Sequence, residues 1–168
     1  NGGMTCPNRD GSLNTGGCIF CSAGGSGDFA SSPLLPIPEQ IRCAKERIAK
    51  KTGCQKIIAY FQAYTNTYAP TEYLRRIFGE ALAAPEIVAL SVATRCDCLP
   101  PEVLALLSEL NQVKPVWVEL GLQTANDNIR DTLHSGFSFA QYETAVTKLR
   151  ERKIKIVTHL IIGLPGES

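Results

Sequence analysis

The sequence lacks any apolar run long enough to cross a membrane. A transmembrane helix needs about 20 consecutive apolar residues, and no stretch of the 168 residues approaches that length. A signal-peptide pattern is also missing, although the sequence begins at Asn1. The net charge is only +1, which neither indicates nor excludes a polyanionic partner. We therefore expect no membrane association and a cytoplasmic protein.

The cysteines lack the regular spacing of a small disulfide scaffold. There are seven of them, an odd number, and a chain of this length can bury a sizeable core without disulfide bonds. Metal binding or redox chemistry in a reducing compartment is therefore the expected use of the thiols. Cys43 and Cys54 are interpreted as small buried hydrophobic side chains.

Beyond residue 36 the sequence alternates between helical and strand patterns. The predicted elements are a helix at 38–51, a strand at 56–64, a helix at 70–83, a strand at 86–94, a helix at 100–112, a strand at 115–124, a helical stretch at 126–152 broken near Gly136, and a strand at 153–164. The strands are apolar on both faces, which predicts an α/β fold with a parallel sheet covered by helices. Either a (β/α) barrel or an open doubly wound sheet fits this order.

Both architectures place functional groups at the carboxyl ends of the strands. The polar residues expected to converge there are Gln62, Tyr64 and Thr65; Thr94, Arg95 and Asp97; Gln123 and Thr124; and Gly163 and Glu167. Glu119 lies inside an apolar strand, where a carboxylate is costly unless it is paired or hydrogen-bonded. It is either a buried ion-pair partner or a ligand contact at the mouth of the sheet.

Residues 1–36 are rich in Gly, Ser, Asn and Pro and predict a long irregular loop, a feature that is usually functional or disordered. The loop contains Cys6, Cys18 and Cys21 in the spacing Cys-x11-Cys-x2-Cys. Iron–sulfur clusters are normally held by four Cys thiolates. Three would leave one iron with an open position, as in catalytic zinc sites, and the glycines would let backbone N–H groups approach an anionic cluster.

A closed structural zinc site is the alternative for the same three cysteines. Its fourth ligand would come from Cys96, Cys98, Cys43 or His134. Cys96 and Cys98 follow a predicted strand as "RCDCLP", so they either pack in the core or contribute ligands near the mouth.

Five ordered motifs resemble a known family. They are "TCPNRDG…GGCIFCSAGGSGDF", "AYFQAYTNTYAP", "VATRCDCLP", "VWVELGLQTANDNI" and "THLIIGLPGE". They are similar to YhcC-like radical S-adenosylmethionine (SAM) proteins, relatives of the Elongator catalytic subunit. The resemblance implies a partial (β/α)6 radical SAM barrel truncated at both ends, with residues 1–168 as a fragment of the core domain and residues 1–36 as its cluster-binding loop.

The resemblance also implies the cofactors and their contacts. A [4Fe–4S] cluster would bind Cys6, Cys18 and Cys21, and SAM would chelate the fourth iron and be cleaved reductively to a radical that abstracts hydrogen. The implied SAM contacts are Gln62 and Tyr64 for the amino group, Glu119 and Gln123 for the ribose, the backbone around Ile162 and Gly163 for the adenine, and Phe20 beside the adenine.

Two segments depart from the family pattern. His134-Ser135-Gly136-Phe137 stands where the family has Asn-Arg-Gly-His, so an arginine that could pair with the SAM carboxylate is replaced by Ser135. Arg95 and Arg130 are the candidates to take over its role. The segment Arg95-Cys96-Asp97-Cys98 replaces Arg-Pro-Asp-Cys and adds a thiol near the mouth.

The substrate implied by the resemblance is tRNA, modified at its wobble uridine, with a reductase or flavodoxin-type protein as electron donor. Two basic runs are either solvated helix faces or phosphate contacts: Arg42, Lys45, Arg47, Lys50 and Lys51; and Lys148, Arg150, Arg152, Lys153 and Lys155. Two alternatives remain, a radical SAM enzyme acting on a small-molecule or sulfur-transfer substrate and a catalytically inactive zinc-stabilised binding module.

Overall fold

The computed structural model describes residues 1–49 and 51–167. Within them helices and strands alternate after an irregular loop, as predicted. The elements are α1 Ile37–Ala49, β1 Ile57–Phe61, α2 Thr71–Ala83, β2 Ile87–Thr94, α3 Pro101–Val113, β3 Val116–Gln123, α4 Asp127–Thr132, α5 Phe139–Glu151 and β4 Lys155–Leu160.

The four strands form one parallel sheet in the order β1-β2-β3-β4. Each strand therefore pairs with the next strand along the chain, and each connection carries at least one helix. An open doubly wound sheet reverses its strand order at a switch point, whereas this sheet runs in one direction. The arrangement is thus a partial (β/α) barrel, which confirms the first of the two predicted architectures.

One face of the sheet packs against the helices and holds the core. On β3 the side chains of Val116, Val118, Leu120 and Leu122 are all buried on this outer face. They join a hydrophobic cluster with residues of α2, α3 and α5. Because side chains alternate along a strand, the residues between them point to the inside of the barrel.

The inner face of the sheet is partly exposed, although the strands were predicted to be apolar on both faces. Ile58, Tyr60 and Val157 lie there, as the strand register shows, and each is exposed to about two-fifths (42%, 40% and 39%). Ala89 and Ser91 of β2, which pair with Ile58 and Tyr60 on the same face, are only 4% and 2% exposed. The inner face is therefore buried in part and exposed in part.

The boundaries of several elements differ from the predictions. The strands predicted at 56–64 and 153–164 are shorter, Ile57–Phe61 and Lys155–Leu160. The helix predicted at 38–51 begins at Ile37 and ends at Ala49; position 50 of this prediction lies outside the described residues. The break predicted near Gly136 is confirmed, because His134 and Gly136 have φ of 57° and 75°, which no helix accommodates.

Cys43, which lies within α1, and Cys54, which follows it, differ from the prediction that both are buried. Cys43 is half-buried and Cys54 is exposed. Cys54 lies in the irregular segment before β1, where its thiol donates a hydrogen bond to the Lys56 carbonyl at 2.8 Å. The prediction is wrong for Cys54 because that connecting segment has no element packed over it.

The helices give no sign of a membrane span. Through all the described residues, none of them combines the length and the apolar character that crossing a bilayer requires.

We predict that the outer-face core dominates stability. Leu107 of α3 is fully buried, so Leu107→Ala should lower the free energy of unfolding by about 2–5 kcal/mol through lost apolar contacts and a residual cavity. Leu34→Ala is the matched control, because this leucine is 91% exposed and its truncation should change the free energy by less than about 0.5 kcal/mol. Urea denaturation of both variants provides the measurement, and equal effects would contradict this account of the core.

Candidate functional site

A cavity of about 160 Å³ lies at the carboxyl ends of the strands, between the irregular loop and the inner face of the sheet. The structure brings most of the predicted site residues to this cavity. Those that line it are Cys6, Cys18, Phe20, Cys21, Gln62, Tyr64, Thr65, Thr94, Arg95, Glu119 and Gln123. Three separate strand ends and a distant loop therefore converge, as expected for a parallel sheet.

Other predicted residues lie elsewhere. Ile162 and Gly163 do not line the cavity, and the Ile162 side chain is 96% exposed. Their contact with an adenine therefore stays a prediction. Thr124 and Glu167 hydrogen-bond to each other rather than facing the cavity.

The cysteine loop is built from tight turns. The backbone N–H of Arg9 donates to the Cys6 carbonyl at 2.8 Å, and the N–H of Cys21 donates to the Cys18 carbonyl at 3.0 Å. The loop is also tied to the turn after α4, because the N–H of Ile19 donates to the Leu133 carbonyl at 3.2 Å. All three thiols are half-buried and face the same cavity.

Tyr64 joins the loop to the end of β1. Its N–H donates to the Gly25 carbonyl at 2.9 Å, and its hydroxyl donates to the Ala23 carbonyl at 2.7 Å. Gly25 has φ +61°, and a Cβ at this position would lie 2.4 Å from the Tyr64 ring. Only glycine therefore allows this close packing. The Tyr64 hydroxyl proton is committed to the loop, which leaves only its oxygen lone pairs for a ligand.

Glu119 is both paired with neighbouring side chains and placed to contact a ligand, the two interpretations that the sequence left open. One carboxylate oxygen accepts a hydrogen bond from the Ser91 hydroxyl, and the other lies 2.7 Å from Nε2 of His159. The carboxylate is therefore hydrogen-bonded on both sides, and it also lines the cavity. Burial and the neighbouring Glu119 charge raise the pKa of Tyr60 to about 12, so this phenol is protonated at neutral pH.

The cavity residues that sequence reasoning missed include Tyr60, His159 and Arg9. Tyr60 and His159 point inward because they alternate with outer-face residues on β1 and β4. Strand alternation could have found them once the outer face was known. Arg9 lies in the loop, where no periodicity exists to indicate its direction.

The two candidate arginines have different positions. Arg95 lines the cavity, and its Nε and Nη2 donate to the Asp97 carboxylate at 2.9 and 2.7 Å. Arg130 is almost completely buried, donates to Asp127 and the Thr124 carbonyl, and does not line the cavity. Of the two, only Arg95 is placed to meet a ligand there.

Ser135 has a hydroxyl without a hydrogen-bond partner in the part of the chain that the structure describes. The residue is buried and lines the cavity. An unsatisfied buried polar group costs about 1–3 kcal/mol. The cavity therefore offers a polar ligand an unused hydroxyl at the position of the departure from the family pattern.

The thiols fit a cluster better than a single metal ion. Across residues 1–49 and 51–167, no group of three or more His, Cys, Asp or Glu side chains is placed to hold one ion. In a [4Fe–4S] cluster each cysteine binds a different iron, so the sulfurs need not converge on one point. The Nδ2 of Asn8 donates to the Cys18 sulfur at 3.3 Å, the kind of hydrogen bond that cluster sulfurs receive.

Cys96 and Cys98 are buried in the protein, in agreement with the interpretation that they pack in the core. Burial, together with the Asp97 charge, raises the pKa of each thiol to about 12. Neither side chain lines the cavity that the three loop thiols face, so these two cysteines are poor candidates for the fourth ligand of a zinc site.

A comparison with protein families matches residues 6–168 to the model described as the radical SAM superfamily. The chain belongs to this superfamily.

Its relatives include the uncharacterized protein YtqA of Bacillus subtilis (strain 168), which is 47% identical over 167 residues covering 99% of this chain and 52% of the relative. Protein YhcC of Escherichia coli (strain K12) is 41% identical over 172 residues covering 99% of this chain and 53% of the relative. The chain is thus a YhcC-like radical SAM protein that spans about half the length of these relatives.

A solved structure supports the fold. The Elp3 of Methanocaldococcus infernus, with an N-terminal deletion, superposes with a TM-score of 0.66 at 24% identity, covering 79% of this chain and 35% of that one. At this identity the likeness concerns the fold alone, and it confirms the partial radical SAM barrel. Membership of the superfamily implies a [4Fe–4S] cluster and SAM as cofactors.

We predict that Cys96 and Cys98 resist alkylation while the protein is folded. With a pKa of about 12, only about one thiol in ten thousand is ionised at pH 8. The exposed Cys54 should react with iodoacetamide many times faster. Peptide mass spectrometry at several times of labelling measures the three rates separately. Rapid labelling of Cys96 or Cys98 without unfolding would contradict the burial and the raised pKa of these thiols.

Proposed function

We propose that this chain is the catalytic core of a radical SAM enzyme, in which Cys6, Cys18 and Cys21 hold the cluster and the adjoining cavity binds SAM. The observation that carries the proposal is the convergence of these three thiols with strand-end residues on one cavity. Residues 1–168 would form the core domain, with residues 1–36 as its cluster-binding loop. When bound, the two cofactors supply one-electron cleavage of SAM and hydrogen abstraction from a substrate.

The residues of the inner face suit the polar groups of SAM. The amides of Gln62 and Gln123 each offer a donor and an acceptor. Gly121 allows the Gln123 amide to fold back over the sheet, because a Cβ there would lie 2.6 Å from Nε2 of Gln123. Glu119 is held in place by Ser91 and His159, so its lone pairs are oriented before any ligand arrives.

The loop closes the cavity on the side opposite the sheet. Tyr64 anchors it to β1, and the Asn8 amide anchors it to the His134 carbonyl at 2.6 Å. These contacts would exclude water from the space between the thiols and the sheet. Exclusion of water strengthens the electrostatic interactions made by bound groups and protects reactive species from side reactions.

We predict that single changes of the loop cysteines abolish cofactor binding and activity. After anaerobic reconstitution the wild type should bind about four iron atoms per chain and release 5′-deoxyadenosine from SAM under a reductant. Cys6→Ala, Cys18→Ala and Cys21→Ala should each lose the iron and the product. Iron analysis and chromatography of the nucleoside provide the measurements.

Cys54→Ala is the matched control, because this thiol is exposed and distant from the cavity lining. It should retain both the iron and the product. A colourless wild type that keeps stoichiometric zinc would instead favour the zinc-stabilised module.

We further propose that the substrate is tRNA and that the reaction belongs to wobble-uridine modification. Support comes from the resemblance of the five motifs to the relatives of the Elongator catalytic subunit. A reductase or a flavodoxin-type protein would supply the electron. The proposal concerns the whole protein, of which this chain would provide the radical-generating core.

The two basic runs are not equally suited to phosphate contacts. On α1, Arg42 is paired with Glu39 and Glu46, and Lys45 is paired with Glu86. This run is therefore largely a salt-bridged helix face; its member Lys50 lies outside the described residues. In the second run Lys148, Arg150 and Lys153 are exposed at the end of α5, which makes them the better candidates to contact a nucleic acid backbone.

We predict that loss of the gene removes one modified wobble uridine from cellular tRNA. Mass spectrometry of tRNA nucleosides would compare cells that carry the gene, cells that lack it and cells that express Cys18→Ala. The last two should show the same loss, because the variant removes a proposed cluster ligand and leaves the rest of the chain in place. Unchanged uridine nucleosides in both would contradict the tRNA proposal and favour a small-molecule or sulfur-transfer substrate.

A further inference from the structure

Two consecutive residues of the cysteine loop, Asn8 and Arg9, contact all three cysteines. They follow Cys6 in the sequence "TCPNRDG". The backbone N–H of Arg9 closes the turn at the Cys6 carbonyl at 2.8 Å. The side chains of the two residues then reach across the eleven-residue arm in different directions, toward Cys18 and Cys21.

Asn8 reaches the second cysteine. It is only 2% exposed, and its Nδ2 donates both to the Cys18 sulfur at 3.3 Å and to the His134 carbonyl at 2.6 Å. Both protons of the amide are thus used, one on a thiol and the other on the turn after α4. The Asn8 side chain therefore fixes Cys18 relative to the barrel as well as to Cys6.

Arg9 reaches the third cysteine. Its Nη2 donates to the carbonyls of Cys21 and Ser22 at 3.1 and 2.7 Å. The guanidinium lies 5.6 Å from the centre of the Tyr64 ring. Gly17, at φ +72°, makes room for this path, because a Cβ there would lie 2.9 Å from Nε of Arg9. A positive charge is therefore held next to Cys21 by the backbone on one side and by an aromatic ring on the other.

We propose that Asn8 and Arg9 are positioning residues that arrange the three thiols before a cluster binds, and that they tune the cluster once it is bound. The second part rests on the function proposed above. A hydrogen bond to a cluster sulfur and a nearby positive charge both stabilise the reduced, more negative state. Asn8 and Arg9 therefore raise the reduction potential of the cluster, in addition to bracing the loop.

Three variants separate the effect of the hydrogen bonds that hold the loop from the effect of the Arg9 charge. Asn8→Ala removes the donor to Cys18. Arg9→Gln removes both the positive charge and the guanidinium N–H donors, whereas Arg9→Lys keeps the charge but loses the planar set of donors. In the full-length, cluster-free protein, hydrogen exchange of the backbone amides of residues 6–22 should be faster in all three variants. After reconstitution, the midpoint potential followed by electron paramagnetic resonance should become more negative in Asn8→Ala and Arg9→Gln, and much less so in Arg9→Lys.

Arg47→Gln is the matched control. This arginine also ties the loop by donating to the Phe29 carbonyl and the Ser31 hydroxyl, at 3.2 and 3.1 Å, but it lies on α1 and does not line the cavity that the three loop thiols face. It should leave both the exchange of residues 6–22 and the potential unchanged. Unfolding temperatures of all variants show whether each remains folded.

Each part of the proposal has a result that would contradict it. Wild-type exchange rates in the three variants would overturn the bracing role, and a wild-type potential in Arg9→Gln and Asn8→Ala would overturn the tuning role. If the wild type itself binds no cluster, the proposed function fails, whereas the exchange measurement still decides whether the two side chains brace the loop.

Discussion

Parallel pairing of four consecutive strands is the constraint on which the site depends. Because β1 to β4 run in one direction and in sequential order, the polar residues that follow each strand meet at one edge. Gln62, Arg95 and Gln123 come from three different strand ends and line one cavity for this reason. The outer face, packed against the helices, holds the strands in register. The inner face is then free to carry Tyr60, Glu119 and other polar groups that would be costly in a core.

The loop with the thiols cannot rely on a hydrogen-bond ladder, since it contains neither helix nor strand before α1. Its position is set by side chains that reach backbone carbonyls and by single backbone hydrogen bonds, such as those from Ile19 to Leu133 and from Tyr64 to Gly25. Tyr64 and Asn8 attach it to the barrel, and Arg9 connects its two halves. Close packing at Gly25 completes this arrangement because the Tyr64 ring fills the space of a side chain. The glycines predicted to give a cluster access to the backbone thus also make room for the bracing side chains.

The sequence predicted the order of the elements because their outer faces carry a clear apolar period. It also predicted most of the cavity, since the strand-end rule needs only topology. It did not predict His159, whose partner Glu119 lies on a neighbouring strand and cannot be inferred from local pattern. Arg9 was not predicted either, because an irregular loop has no hydrophobic periodicity that indicates where a side chain points. Cys54 was misjudged, because the sequence does not show which connecting segments are covered by other elements.

Burial opposes the ionisation of Cys18, Cys96 and Cys98 alike. Cys96 and Cys98 are close to the site, but burial raises the pKa of each to about 12, so ionising either one is costly. Burial also raises the pKa of Cys18, and the hydrogen bond from Asn8 and the charge of Arg95 oppose the rise. The charge of Arg95 opposes the rise at Cys96 and Cys98 as well. The donor to the Cys18 sulfur is a side-chain amide of the loop itself. A thiol that must lose its proton needs such a partner, and the loop provides one.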